Sequence, residues 1–264
     1  MIPHDYHIHT NFSCDCQASM SEMCRAALTA NISEIGFTEH LDLHPLDPDR
    51  DFFRSDEWWQ EITRCREQYQ GILTIRAGIE LSEPHQHINI IEKLYQSYPW
   101  DYSLGSLHWF GNEMIFDHAS FTRPEKDVYE DYFIELQRMV DVGNFDILAH
   151  MDMVKRYGYD HYGKFDPFKY DTMIQSVLKT VADKNIALEV NTASLRRSIN
   201  ETSPSKQILE WFHAQGGQGI TLGSDAHMPQ DVGAGIERAL AAVKASGFNS
   251  VASFSQRQQT AIPL

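Results

Sequence analysis

The segment Asp5-Tyr6-His7-Ile8-His9-Thr10 sets two imidazoles two residues apart. On a strand that spacing sends Asp5, His7 and His9 to one face, and Tyr6 and Ile8 to the packing on the other. A lone His-x-His is common on solvated strands, so the pair by itself decides little. Four further apolar, strand-like runs end in ligand-type residues: 35–40 in Glu39-His40, 75–80 in Glu80, 147–150 in His150, and 220–227 in Asp225 and His227. The run 102–108 repeats the pattern and ends in His108. Histidines and carboxylates recurring at strand C-terminal ends are what a metal centre at the mouth of a βα barrel requires, because side chains distant in sequence converge there. Imidazole with carboxylate, without thiolate, favours Zn, Fe or Mn over Ca or Mg. More than four ligands imply more than one ion.

The elements that must position these residues alternate strand and helix. After the opening strand, Ser19-Met20-Ser21-Glu22 has capping-box spacing, and Met23, Ala26, Ala27 and Ala30 form an apolar stripe ending near Asn31. The stretch 41–55, with two prolines and no periodicity, predicts a loop over the barrel mouth. Residues 56–70 predict a helix capped by Ser55 or Asp56, with Trp58, Trp59 and Ile62 facing inward. A third strand over 73–80 leads to Pro84 in a first helical turn and the stripe Ile88, Ile91, Leu94 and Tyr95, with His85 and His87 as exposed residues of the cap region.

The fourth strand ends at His108, residues 109–116 make a short excursion around Gly111-Asn112, and Pro124 opens a long helix closed by Gly143. Rich in Tyr, Gly and charge, 151–167 predicts a second mouth loop carrying Lys155, Arg156 and His161. Helix 168–184, a strand over 186–191 leading into Arg196-Arg197, a helix started by Ser203-Pro204, a strand over 219–223 and a helix over 233–246 complete seven repeats. The tail 253–264 reads as disordered or as a barrel-edge strand.

Composition bounds the partners. With 264 residues and 42% hydrophobic content, the chain suits one unit spanning 1–264 with a substantial core. A net charge of -15 argues against a polyanionic nucleic acid, which calls for a basic face. The pairs Lys155-Arg156 and Arg196-Arg197 are basic patches sized for a single phosphate group. No apolar run approaches the roughly 20 residues of a membrane span, and no basic and apolar leader opens the chain, so a cytoplasmic protein without a membrane partner is expected. Cys14, Cys16, Cys24 and Cys65 are few and bunched early, which suits reduced thiols. Cys14-x-Cys16 lacks the second thiolate pair of a structural metal site.

In order along the chain, the motifs Asp5 to Thr10, Thr38-Glu39-His40, Gly78-Ile79-Glu80, Gly105-Ser106-Leu107-His108, Ala149-His150, Glu189-Val190-Asn191-Thr192 and Gly223-Ser224-Asp225-Ala226-His227 resemble those of the PHP (polymerase and histidinol phosphatase) phosphoesterases, within them the histidinol-phosphate phosphatases. The resemblance implies an α/β fold, a distorted (β/α)7 TIM-like barrel, with its metal site at the C-terminal ends of the strands. It implies three divalent transition-metal ions: one on His7, His9, Glu80 and Asp225, a second on Glu80, His108 and His150 with Glu80 bridging, and a third on Asp15, His40 and His227. At Asp15 some relatives carry a histidine.

The implied reaction is hydrolysis of a small phosphate monoester, histidinol phosphate, with no nucleic acid involved. Glu80, Asp225 and His227 are its catalytic residues, and a hydroxide bridging two ions is the nucleophile. The leaving alcohol takes its proton from metal-bound water, Asp225 or His227. Arginine adds two-pronged contacts to the phosphate. Arg156 and Arg196 are the expected pair and Arg197 the alternative, since neighbours on an extended chain face opposite ways. Other readings are a different small ester such as a nucleotide or sugar phosphate, a non-catalytic PHP module, or a barrel amidohydrolase, which would have little use for arginines at the mouth.

Overall fold

A computed structural model describes residues 2–264. Seven parallel strands form one sheet in chain order: β1 (Asp5–Ile8), β2 (Glu34–Leu41), β3 (Thr74–Ser82), β4 (Leu104–Ser106), β5 (Ile147–Leu148), β6 (Ala187–Asn191) and β7 (Ile220–Gly223). The ring closes where Ile8 bridges Ala226 in parallel, with the His9 N–H donating to the Ala226 carbonyl at 2.9 Å. Contact between the first and last strands is therefore made at the C-terminal end, where the ligand-type residues lie. Strands in such a barrel are covered on both faces and read as near-continuous apolar runs, as β1, β4, β5, β6 and β7 do in being buried throughout.

Helices α1 (Met20–Thr29), α2 (Ser55–Gln68), α3 (Ile88–Ser97), α4 (Glu125–Val142), α5 (Val154–Tyr162), α6 (Asp171–Asp183) and α7 (Lys206–Ala214) make the crossovers, and α8 (Ile236–Ala245) follows the last strand. The predicted capping box of α1 is present, with Ser19 accepting from the Glu22 N–H and the Glu22 carboxylate accepting from Ser19. None of the described helices is long and apolar enough to cross a membrane.

The opposite end of the barrel is sealed by aromatic packing. Tyr6, Tyr102, Leu104, Ile147 and Ala187, all at or just before strand starts, form a second core cluster with Ala252 and Phe254. The Tyr102 hydroxyl donates to the Tyr6 carbonyl at 2.8 Å, and its ring occupies the space a Cβ would need at Gly36 and Gly78. Those two strands can pass this close to an aromatic ring only because they carry glycine there. Ala252 and Phe254 come from β8 (Ser250–Ser255), which pairs antiparallel with β9 (Gln258–Pro263), so the tail is an ordered hairpin rather than a disordered end.

Several expected elements differ. The stretch 151–167 contains helix α5, so it is not simply a loop; its buried face is Val154, Lys155 and Gly158, and Gly158 is required because the Tyr129 hydroxyl lies 2.5 Å from where its Cβ would be. Neither Ser55 nor Asp56 caps α2: both lie inside the helix, and Arg54 at its N-cap makes no side-chain capping bond. Ser203-Pro204 precedes the start of α7, because Ser203 pairs with Asn191 and is held to the end of β6. His85 is not exposed; its Nε2 lies 2.7 Å from the Glu135 carboxylate. The excursion expected after His108 is present, as a small hairpin of Trp109–Phe110 and Glu113–Met114 that turns at Gly111-Asn112.

Candidate metal centre

Each ligand-type residue named from the sequence reaches one cleft at the C-terminal mouth. His7 and His9 come from the end of β1, Asp15 from the loop after it, His40 from β2, Glu80 from β3, and His108, His150, Asp225 and His227 from just beyond β4, β5 and β7. Glu80 is the hub. Its Oε2 lies 3.3 Å from His7 Nε2, 3.5 Å from His9 Nε2 and 2.9 Å from His40 Nδ1, while its Oε1 lies 3.4 Å from His108 Nε2 and 2.9 Å from His150 Nε2. Asp225 Oδ1 closes the other side at 3.8 Å from His7 and 3.6 Å from His9. At the mouth, Asp15 lies 3.0 Å from His227 and 3.6 Å from His40, and its side chain is 52% exposed.

These residues fit divalent ions. Four trios present ligand atoms within 4.8 Å of one another: His7, His9 and Asp225; His7, Glu80 and His150; His40, Glu80 and His108; His9, His40 and His227. Glu80 Oε2, His7 Nε2, His9 Nε2, His40 Nδ1 and His227 Nε2 are buried without a hydrogen-bond partner. Unpaired buried polar atoms are costly, and here they face one another, as atoms that share a cation do. Behind them the rings are held: His7 Nδ1 lies 2.6 Å from Glu189 Oε1, and His227 Nδ1 lies 3.1 Å from the Asp225 carbonyl. Both contacts put the proton on Nδ1 and leave the Nε2 lone pair facing the cleft.

The imidazoles and carboxylates of the pocket are strongly coupled. Burial pulls His7 down, but Glu189, Glu80 and Asp225 outweigh it and hold its pKa well above the ordinary imidazole value. Burial and the neighbouring His227 and His40 push His9 down to about 3. Burial resists ionisation of Glu80, yet His7 and His40 hold its pKa well below the usual carboxylate range. Asp225 follows the same balance, with His7, His9 and Arg156 overcoming burial.

Backbone strain marks the same place. His150 and Asp225 adopt φ of 23° and 54°, conformations that cost on the order of 1–3 kcal/mol each in a non-glycine residue and persist where surroundings enforce them. The His150 N–H donates to Glu189 Oε2 at 2.8 Å, and Arg196 Nη2 donates to the carbonyls of Ser224 and Asp225 at 2.9 and 3.2 Å.

The three arginines named from the sequence all line the cavity of about 530 Å³ above the cluster. The Arg156 side chain is largely covered and donates to Ser194 Oγ at 2.8 Å and Asn191 Oδ1 at 3.1 Å, with Asp225 Oδ2 at 3.4 Å. Arg196 is spent on the Ser224–Asp225 turn and on Asp231 at 3.5 Å. The Arg197 guanidinium has no hydrogen bond or ion pair to a described residue. Both members of the pair reach the cavity because Ala193–Arg196 is a 3-10 turn, so the alternation of an extended chain does not apply. Lys155, grouped with Arg156 in the sequence, is fully buried and pairs with Asp152 at 2.7 Å and Glu201 at 2.9 Å.

Over residues 5–193 the sequence matches the model of the PHP domain. The chain belongs to the PHP domain family. Among its relatives, the histidinol-phosphatase of Lactococcus lactis is 29% identical over 95% of this chain and 94% of its own length, and that of Bacillus subtilis is 24% identical over 90% and 98%. The crystal structure of the Lactococcus lactis histidinol phosphate phosphatase, complexed with Zn, L-histidinol and phosphate, superposes with a TM-score of 0.90 at 26% identity, covering 98% of this chain and 99% of that one. That likeness extends the PHP fold of this chain beyond the matched residues to the C-terminal hairpin.

Residues without an assigned role in the sequence reading also shape this PHP site. Glu189 and Asn191 belong to a motif quoted above, and the structure puts both within reach of first-rank residues. Phe116, Met153, Tyr157 and Met228 give the cavity an apolar lip. They come from loops and from the unexpected helix α5, where no spacing singles them out.

Proposed function

We propose that this chain is a metal-dependent phosphatase that hydrolyses L-histidinol phosphate to L-histidinol and phosphate, acting as one PHP-type unit over 1–264. The observation that carries the reading is the convergence of eight ligand-type side chains with Glu80 beneath a cavity lined by arginines. The likeness to histidinol-phosphatases over nearly the whole chain supplies the substrate. An overall charge of -15 fits a small ester held by a local cationic patch better than a nucleic acid.

Three ions of zinc, iron or manganese would be held by His7, His9, Glu80 and Asp225; by Glu80, His108 and His150; and by Asp15, His40 and His227. Such ions acidify a bound water into a nucleophile at neutral pH and neutralise charge on the phosphoryl oxygens. Glu80 would be shared between ions, a reading supported by its two oxygens facing different sets of imidazoles. Arg156 and Arg197 orient the phosphate: the first is preset by Ser194 and Asn191, and the second is free to close on the ester. Arg196 instead holds the strained turn that aims Asp225. The proton for the leaving alcohol would come from a water that such ions acidify, with Asp225 and His227, 3.6 Å apart at the mouth, as the side chains beside it.

The test is turnover of histidinol phosphate by purified protein, before and after chelation and after metal is restored. Release of phosphate that disappears on chelation and returns with metal is the expected result. No turnover of this ester by metal-replete protein, with turnover of a nucleotide or sugar phosphate, would reassign the substrate.

A further inference from the structure

Two imidazoles of the cluster are backed by a serine that is itself bound to a carboxylate, the buried Glu39 or the largely buried Asp42. His9 Nδ1 lies 3.0 Å from Ser13 Oγ, and Ser13 Oγ donates to Glu39 Oε2 at 2.7 Å. His108 Nδ1 lies 2.9 Å from Ser82 Oγ, and Ser82 Oγ donates to Asp42 Oδ1. The serines stand on different strands or loops, and the carboxylates follow β2 or lie within it. The same three-part chain thus appears twice on opposite sides of Glu80.

A serine hydroxyl has one proton. In each chain that proton is committed to the carboxylate, so the oxygen can only accept from the imidazole. Glu39 is fixed as an acceptor by four donors, since besides Ser13 it receives the Thr10 N–H at 2.9 Å, the Thr10 hydroxyl at 2.6 Å and Trp58 Nε1 at 3.2 Å. Ser13 Oγ also receives the His40 N–H at 3.2 Å, which fills its remaining acceptor position. The imidazole must then carry its proton on Nδ1 and turn the bare Nε2 toward the cleft. Nε2 of His9 is the buried atom without a partner, and Nε2 of His108 faces Glu80 Oε1 at 3.4 Å.

We propose that Ser13 with Glu39, and Ser82 with Asp42, are positioning relays that lock His9 and His108 in the Nδ1–H tautomer and so set how tightly the cluster retains its ions. The inference rests on the metal-binding reading above. His7 receives the same instruction directly from Glu189, without a serine between. The relays extend carboxylate control to the Nδ1 side of two rings, where the serine oxygen is nearer than the carboxylate: Asp42 Oδ1 is 3.5 Å from His108 Nδ1, against 2.9 Å for Ser82 Oγ.

Ser82→Ala and Ser13→Ala are compared with wild type in the full-length protein loaded with zinc. Ion retention is read by competition with a chromophoric chelator, ring tautomers by 15N-edited NMR, and fold integrity by thermal unfolding of the stripped protein. Loss of a partner behind a metal-binding histidine costs about 10- to 100-fold in affinity. Retention should fall by that factor in each variant, with the Nδ1–H signature of His108 lost in Ser82→Ala and that of His9 lost in Ser13→Ala. Ser82→Thr, which keeps the hydroxyl, should recover most of the affinity, whereas a purely structural role would move the unfolding temperature of the stripped protein instead. Unchanged retention and tautomers in both alanine variants would overturn the relays. Wild-type protein that binds no zinc would refute the metal reading, and there the ring spectra alone still decide whether the serines set the tautomers.

Discussion

On the proposed function, replacing Arg197 by alanine should separate phosphate recognition from the integrity of the cluster around Glu80. Its guanidinium lines the cavity yet bonds to no described residue, so its loss removes no contact that stabilises the fold. A hydrogen bond to a charged group contributes roughly 1.5–3 kcal/mol, and each 1.4 kcal/mol is about tenfold. Arg197→Ala should therefore lose about 10- to 100-fold in kcat/KM for histidinol phosphate, with metal content and thermal stability unchanged. Arg197→Lys should recover part of the loss, because a point charge cannot make the two-pronged contact.

Arg196→Ala should behave differently. Its Nη2 is the donor that holds the carbonyls of Ser224 and Asp225, so its removal loosens a residue at φ 54° and should lower metal retention along with turnover. Steady-state kinetics with parallel elemental analysis distinguishes the two. If Arg196→Ala keeps its metal and loses activity while Arg197→Ala is indistinguishable from wild type, the assignment of the pair is reversed and the reasoning from committed hydrogen bonds is wrong.

Other outcomes follow from the same geometry. Glu80→Gln should lose both metal and turnover, since the carboxylate faces five imidazoles; full metal occupancy with near-normal turnover would rule out bridging. Glu189→Gln should cost about 10- to 100-fold in metal affinity by calorimetric or chelator titration, because an amide cannot accept from both His7 and the His150 N–H. Phe254→Ala should destabilise the protein by about 3–5 kcal/mol in denaturant unfolding through the cavity left in the sealed end of the barrel. A change below about 1 kcal/mol would mean that the C-terminal hairpin is not part of the core.

The strands and the cluster were legible because one signal marked both. Each ligand-type residue stands at the end of an apolar run, so finding His40, Glu80 or His150 also locates the strand that presents it. Helix α5 left no such mark, since its buried face is made of Val154, a paired lysine and a glycine, and apolar periodicity cannot report a face built that way. The failed caps have a similar origin. Ser55, Asp56 and Ser203 are good capping residues by type, but pairing with Asn191 holds Ser203 to the end of β6 before α7 begins, and α2 starts at Ser55 with Arg54 at its N-cap. The supports behind the ligands were invisible for a different reason: Ser13, Ser82 and Asp42 act across 26 to 40 residues of sequence, and isolated serines carry no spacing to read. Glu189 stood in a quoted motif, but only the 2.6 Å contact with His7 shows what it does.

The central claim is that the cluster around Glu80 is a metal centre that hydrolyses histidinol phosphate. Its most direct test is elemental analysis of carefully purified protein with phosphate release from histidinol phosphate followed on the same sample. Three equivalents of zinc, iron or manganese, with activity that falls as they are removed and returns as they are restored, is the result predicted. One ion or none with no gain on reconstitution, or full activity in protein stripped of metal, would contradict it.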